Sequence, residues 1–66
     1  MPTRLRRERT QRGLTQAGVA HLTTLAGTPI SQVRLSMLER GLNPKPAEAE
    51  ALAEIFGVRP DELFER

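Results

Sequence analysis

Ile30-Ser31-Gln32-Val33-Arg34-Leu35-Ser36-Met37-Leu38-Glu39-Arg40-Gly41 is the stretch on which the reading of this chain turns. Ser31 is a good N-cap, because its hydroxyl accepts a hydrogen bond from an amide that the first helical turn leaves unpaired. Leu35 and Leu38, three residues apart, share one helical face. Gly41 can take the left-handed conformation that a helix end requires. The pattern predicts a short helix over about 31–40, leucines inward, with Gln32, Val33, Arg34 and Met37 projecting outward. Thr28, with Pro29 as first helical residue, competes with Ser31 as the cap, but either start leaves the same side chains outside. Met37 has a second reading as core, since methionine fills irregular gaps.

Working outward, Ala26-Gly27-Thr28-Pro29 is a turn by composition. The helix before it starts at Thr15, another N-cap, and carries Ala17, Val19, Ala20, Leu22 and Leu25 as apolar positions. Gly18 weakens that helix by about 1 kcal/mol relative to alanine. A first helix is expected from about Thr3 to Gln11, anchored by Leu5 and ended by Gly13. Downstream, Asn43-Pro44-Lys45-Pro46 cannot lie inside a helix, because two prolines remove donors and fix the backbone. A fourth helix runs from Pro46 or Ala47 to Phe56, with Ala49, Leu52, Ala53 and Phe56 in an amphipathic stripe. Gly57 ends it. A last short helix begins at Pro60 with Asp61 and Glu62 in its first turn and Leu63 and Phe64 as apolar contacts. The fold class is all-α, five short helices in a single domain over 1–66. Its expected core is Leu5, Leu14, Val19, Ala20, Ile30, Leu35, Leu38, Leu52, Ile55 or Phe56, Val58 and Leu63.

Composition agrees with helices and narrows the function. Sixty-six residues bury little surface, so stability rests on efficient packing or on association. There is no cysteine and one histidine, which removes disulfides and argues against a structural metal; no metal site or cofactor is expected. No apolar run approaches the roughly 20 residues of a membrane span, and the basic N-terminus is followed by no apolar signal core. A soluble, cytoplasmic and nucleoid-associated protein without membrane contact is expected. The formal charge of +2 conceals a polarity. Residues 1–45 carry eight basic groups against Glu8 and Glu39, whereas residues 46–66 carry six acidic groups against Arg59 and Arg66. A basic body with an acidic end suits one face to a polyanion, although a solvated helical surface gives the same pattern.

The ordered landmarks resemble the lambda-repressor and Cro-like (XRE-type) helix-turn-helix family. They are Arg9 with Gly13-Leu14-Thr15-Gln16, Val19-Ala20, Ile30-Ser31, Leu35-Ser36, Leu38-Glu39-Arg40-Gly41, Pro46, Leu52-Ala53, Phe56-Gly57-Val58 and Asp61-Glu62-Leu63. The likeness covers nearly the whole chain, with the helix-turn-helix motif at about 15–40. One departure stands out: the gap between Ala20 and Ile30 is ten residues, where the family pattern has about five. The second helix is longer, or the turn is enlarged.

The resemblance implies double-stranded DNA binding and repressor-type transcription regulation, with a homodimer on DNA. A helix fits the major groove, where each base pair shows a distinct donor and acceptor pattern. Gln32, Val33, Arg34 and Met37 are then the base contacts: Gln32 suits adenine, Arg34 guanine and Val33 a thymine methyl. Gln16, Ser31, Arg40, Asn43 and Lys45 are the expected phosphate contacts. Arg4, Arg6 and Arg7 add nonspecific attraction or form a solvated face. The resemblance makes Arg9 and Glu39 a structural salt bridge between the first and third helices, and Leu63 and Phe64 are expected at the dimer contact. No enzyme is expected. His21, Ser31, Ser36 and Asp61 are triad residue types with nothing to order them, and no glycine-rich phosphate loop exists. The alternative is a small helical protein-interaction module, an antitoxin or adaptor, whose acidic C-terminal part serves a protein partner.

Overall fold

The computed structural model describes residues 3–64, and among these it contains five helices and no strand. They are α1 (Arg4–Gln11), α2 (Gln16–Leu25), α3 (Gln32–Glu39), α4 (Pro46–Phe56) and α5 (Pro60–Leu63). Local chemistry sets their starts. Thr3, Thr15 and Ser31 lie in extended backbone, and each accepts a hydrogen bond from the amide three residues on, in Arg6, Gly18 and Arg34. Ser31, not Thr28, is thus the cap of α3. Pro46 and Pro60 occupy first helical positions, where the missing amide costs nothing.

The core is one cluster of Leu5, Val19, Ile30, Leu35, Leu38, Leu52, Ala53, Phe56 and Leu63, with Leu14, Ile55, Val58 and Phe64 packed half-buried around it. α2 packs on α3 and α4, α1 on α3 and α5, and α4 on α5. Of the two residues left open in the apolar pattern, Phe56 is buried and Ile55 only partly so. Ala20 is half-buried rather than core. Leu63 belongs to the core, as the apolar pattern expects, and at 2% exposure it is not available for the dimer contact also expected of it. A side chain already covered by its own chain has no surface to offer a second copy.

The ten-residue gap is filled by both devices. α2 runs ten residues to Leu25, and residues 26–30 then form a wide turn. Thr23 organises that turn from inside. It is fully buried, its hydroxyl donates to the Ala20 carbonyl at 2.7 Å, and it accepts the Ile30 amide at 3.0 Å. Its own carbonyl accepts the Thr28 amide at 3.0 Å, closing the helix end over Gly27, whose φ of +88° a side chain would strain. Thr23 thus does the work of a missing short turn, leading the backbone from α2 back to the core at Ile30. The apolar pattern misses it and counts Leu25 among the apolar positions of the helix; Leu25 is 70% exposed. Counted from Val19 and Thr23, one helical turn apart on the inner face, Leu25 falls on the opposite side.

Thr23→Val keeps the volume but strands the buried Ile30 amide, so it should lower unfolding stability by about 1–3 kcal/mol. Leu25→Ala should change it by less than about 0.5 kcal/mol. Urea denaturation followed by circular dichroism checks both, and equal effects would contradict the structural role of Thr23.

Candidate nucleic-acid interface

α3 turns Leu35 and Leu38 into the core and leaves its opposite side open. Gln32 is exposed, Val33 is 68% exposed and Met37 39% exposed, with Ser36 half-buried among them. Met37 is therefore a surface residue. An exposed Val and Met on a helix of eight residues form an apolar strip on the outer face, with the Gln32 amide at its N-terminal end.

Arg34 departs from the expectation. Its guanidinium turns to α4 and grips Glu48 with two bonds, Nε to Oε2 at 2.9 Å and Nη2 to Oε1 at 2.8 Å. The same carboxylate accepts the Lys45 amide at 2.8 Å, so it closes the start of α4 as well. The sequence pattern cannot see this pair, because Glu48 reaches Arg34 only when the Asn43–Pro46 loop brings α4 back beside α3. Charge-assisted bidentate pairing with Arg34, foremost, and the Lys45 amide hold the Glu48 carboxyl below its ordinary range, against the opposing effect of burial. Arg34 is a brace between two helices here, with its guanidinium committed.

Arg9 and Glu39 meet across α1 and α3. Arg9 donates through Nε to Glu39 Oε2 at 2.6 Å and through Nη2 to Oε1 at 3.0 Å, and its Nη1 donates to the Leu14 carbonyl at 2.9 Å. Glu39 is 7% exposed. The pairing holds Arg9 still more firmly protonated than a free arginine. Gln16, half-buried at the first position of α2, donates from Nε2 to Glu39 Oε1 at 3.2 Å. One buried carboxylate therefore ties α1, the start of α2 and the end of α3 together. Ser31, Arg40, Asn43 and Lys45 are all exposed. Ser31 already uses its hydroxyl as a cap for the Arg34 amide at 3.0 Å.

A second bracing group also lies outside what the pattern shows. Arg12 donates to Glu8 Oε1 at 2.6 Å and, through Nη2, to the Phe56 carbonyl at 2.6 Å, and its guanidinium sits 5.1 Å from the Phe56 ring centroid. It satisfies an orphan carbonyl at the end of α4 and adds a cation–π contact. Arg4 holds the other oxygen of Glu8 at 2.8 Å. These two guanidiniums, Arg12 first, hold the Glu8 carboxyl below its ordinary range. The only signal in the sequence was the spacing of Arg4, Glu8 and Arg12 at successive helical turns.

Residues 5–63 match the family model described as Helix-turn-helix. The chain belongs to the lambda-repressor-like (XRE-type) helix-turn-helix family, a family of DNA-binding transcription regulators and typically not of enzymes. No curated protein and no solved structure matches it significantly. Among the described residues no helix is long and apolar enough to cross a membrane, and no cluster of His, Cys, Asp or Glu is arranged to hold a metal.

Because Glu48 titrates below its ordinary range in the fold, its contribution is complete above the unfolded value of about 4.3 and is lost as pH falls through the folded value. Thermal midpoints should fall as pH drops below about 4. Glu48→Gln should melt lower at neutral pH and lose less on acidification. Arg9→Ala leaves the buried Glu39 unpaired and should cost about 3 kcal/mol, measured by denaturant unfolding at pH 7; a loss below about 1 kcal/mol would place the pair among surface bridges.

Proposed function

We propose that this chain is a sequence-specific, repressor-type regulator that binds double-stranded DNA through the outer face of α3, as a homodimer in the cytoplasm. The observation that carries the reading is the exposed ridge Gln32, Val33 and Met37 on a helix whose other side is locked by Leu35, Leu38 and the Arg9–Glu39 pair. A helix so braced enters the major groove as a rigid body and loses little entropy on binding. Gln32 pairs with an adenine edge, and Val33 and Met37 contact thymine methyl groups. Gln16, Arg40, Asn43 and Lys45 hold phosphates on either side and set the register of the helix. Ser31 contributes as the cap of the reading helix, its hydroxyl being committed to that bond. Arg34 acts by holding α3 against α4 through Glu48 and so fixes the angle at which the ridge is presented.

A homodimer suits this surface because one eight-residue helix spans few base pairs, and paired half-sites about one DNA turn apart extend the site. With Leu63 internal, the candidate contact is the groove of about 270 Å³ between α1, residues 41–44 and α5, which Leu42 and Phe64 line. Leu42 is 42% exposed and Phe64 half-buried, so both retain apolar surface to cover.

Selection of bound duplexes from a random pool should return a two-fold symmetric site. Gln32→Ala should then relax preference at one position by about 1–3 kcal/mol, while Lys45→Ala weakens all duplexes alike. Arg34→Ala should lower stability and affinity together and leave base preference as it was. A change of preference confined to one base pair would restore Arg34 as a reader. Leu42→Glu should abolish the dimer in sedimentation on operator DNA; an unchanged mass would remove the groove from the dimer contact.

A further inference from the structure

Arg34 follows the exposed Val33 on α3 and lies one helical turn before the exposed Met37, yet its guanidinium is engaged by α4. The two ends of that ion pair differ in exposure. The Arg34 side chain keeps 29% of its accessible surface and the Glu48 side chain 12%. They also differ in how firmly they are held. Glu48 is the third residue of α4, behind Pro46 at the first position, and its Oε1 accepts the Lys45 amide as well as Arg34 Nη2. Arg34 reaches its partner on a long flexible stem. Were the pair to open, the carboxylate would stay and the guanidinium would move, and the ridge of its own helix is within its reach.

We infer that Glu48, on α4 and off the reading helix, is a specificity-determining residue, which withholds Arg34 from the major groove and so keeps α3 from reading guanine. The inference rests on the DNA-binding reading above and goes beyond it by placing part of the base preference outside α3. An unrestrained arginine at this position suits guanine, whose O6 and N7 accept its forked donors. Magnitudes decide which partner wins. One bidentate base contact returns a factor of about 5–150 in affinity. Breaking a largely buried pair strands the carboxylate and costs a factor on the order of 100. The exchange brings no net gain, so the pair stays closed. Val33 and Met37 offer no side-chain donor to a guanine, and Gln32 suits adenine, so the ridge is left to favour A·T pairs. Specificity is a difference of affinities, and removing a competing contact shifts it as surely as adding one.

The test selects bound duplexes from a random pool with wild type, Glu48→Gln, Arg34→Ala and the double variant, at a temperature where circular dichroism shows all four folded. Glu48→Gln loses the charge but keeps an oxygen that can accept the Lys45 amide, so α4 stays capped while the grip on Arg34 is lost. It should raise the preference for guanine at one base pair of each half-site by about fivefold or more, measured by fluorescence anisotropy. Glu48→Ser, which also leaves Arg34 unpaired, should give the same gain and serves where Glu48→Gln does not fold. The double variant should lose the gain, and Arg34→Ala alone should keep the wild-type preference. Unchanged preference in both Glu48 variants would overturn the inference. So would a change that persists in the double variant, because a tilted α3 and not a freed arginine would then be its cause. A guanine preference of the wild type that Arg34→Ala removes would overturn it too. A wild-type protein that binds no duplex at low salt would instead overturn the DNA-binding reading itself.

Discussion

Glu39 lies buried at the end of the helix that carries the outer ridge, and a carboxylate in that position must be neutralised where it stands. Arg9 does so with two short bonds, and in doing so fixes α1 across the back of α3. Gln16 adds a third bond from the start of α2. Leu35 and Leu38 alone would bury the inner face of α3 but would leave it free to slide or roll by small amounts over other apolar groups. A directional ion pair removes that freedom. The consequence reaches the surface, because a ridge meant to meet base edges is useful only when its side chains are held in place from behind.

The same logic recurs at the other corners of the molecule. Arg34 and Glu48 join α3 to α4, and Arg12 joins α1 to the last carbonyl of α4 while Arg4 and Arg12 together clasp Glu8. In a chain with two phenylalanines and no tryptophan or tyrosine, the apolar cluster is small, and arginines with long apolar stems and forked heads supply contacts that a larger protein would draw from aromatic packing. Arginine is thus used in two ways. Arg9, Arg12 and Arg34 are spent on the fold, and Arg6 and Arg40 remain exposed. Counting basic residues along the sequence cannot separate the two groups.

The turn between α2 and α3 shows how an altered spacing is absorbed without disturbing what lies on either side. Added residues lengthen α2 and widen the turn, and a fully buried threonine replaces the backbone contacts a tighter turn would make. Ile30 still reaches the core and Ser31 still caps α3. Both ends of the motif are anchored by burial and by capping, so the excess chain leaves as an exposed bend.

The sequence by itself determined the helices. Thr3, Thr15 and Ser31 at their starts, Gly13, Gly27, Gly41 and Gly57 past their ends, and leucines at helical spacing act over a few residues, where the backbone's hydrogen-bonding needs are local. It also determined most of the core, including Leu35, Leu38 and Leu52, because a repeated apolar face has nowhere else to go. Only the tertiary structure decided which arginines are free, that Arg34 faces Glu48 instead of solvent, that Leu63 is too covered to serve a dimer contact and that the buried Thr23 closes the turn. Those outcomes depend on contacts between residues seven to forty-four positions apart. A long polar side chain has no preferred face of its own; it goes where an opposite charge or an orphan carbonyl has been brought within reach.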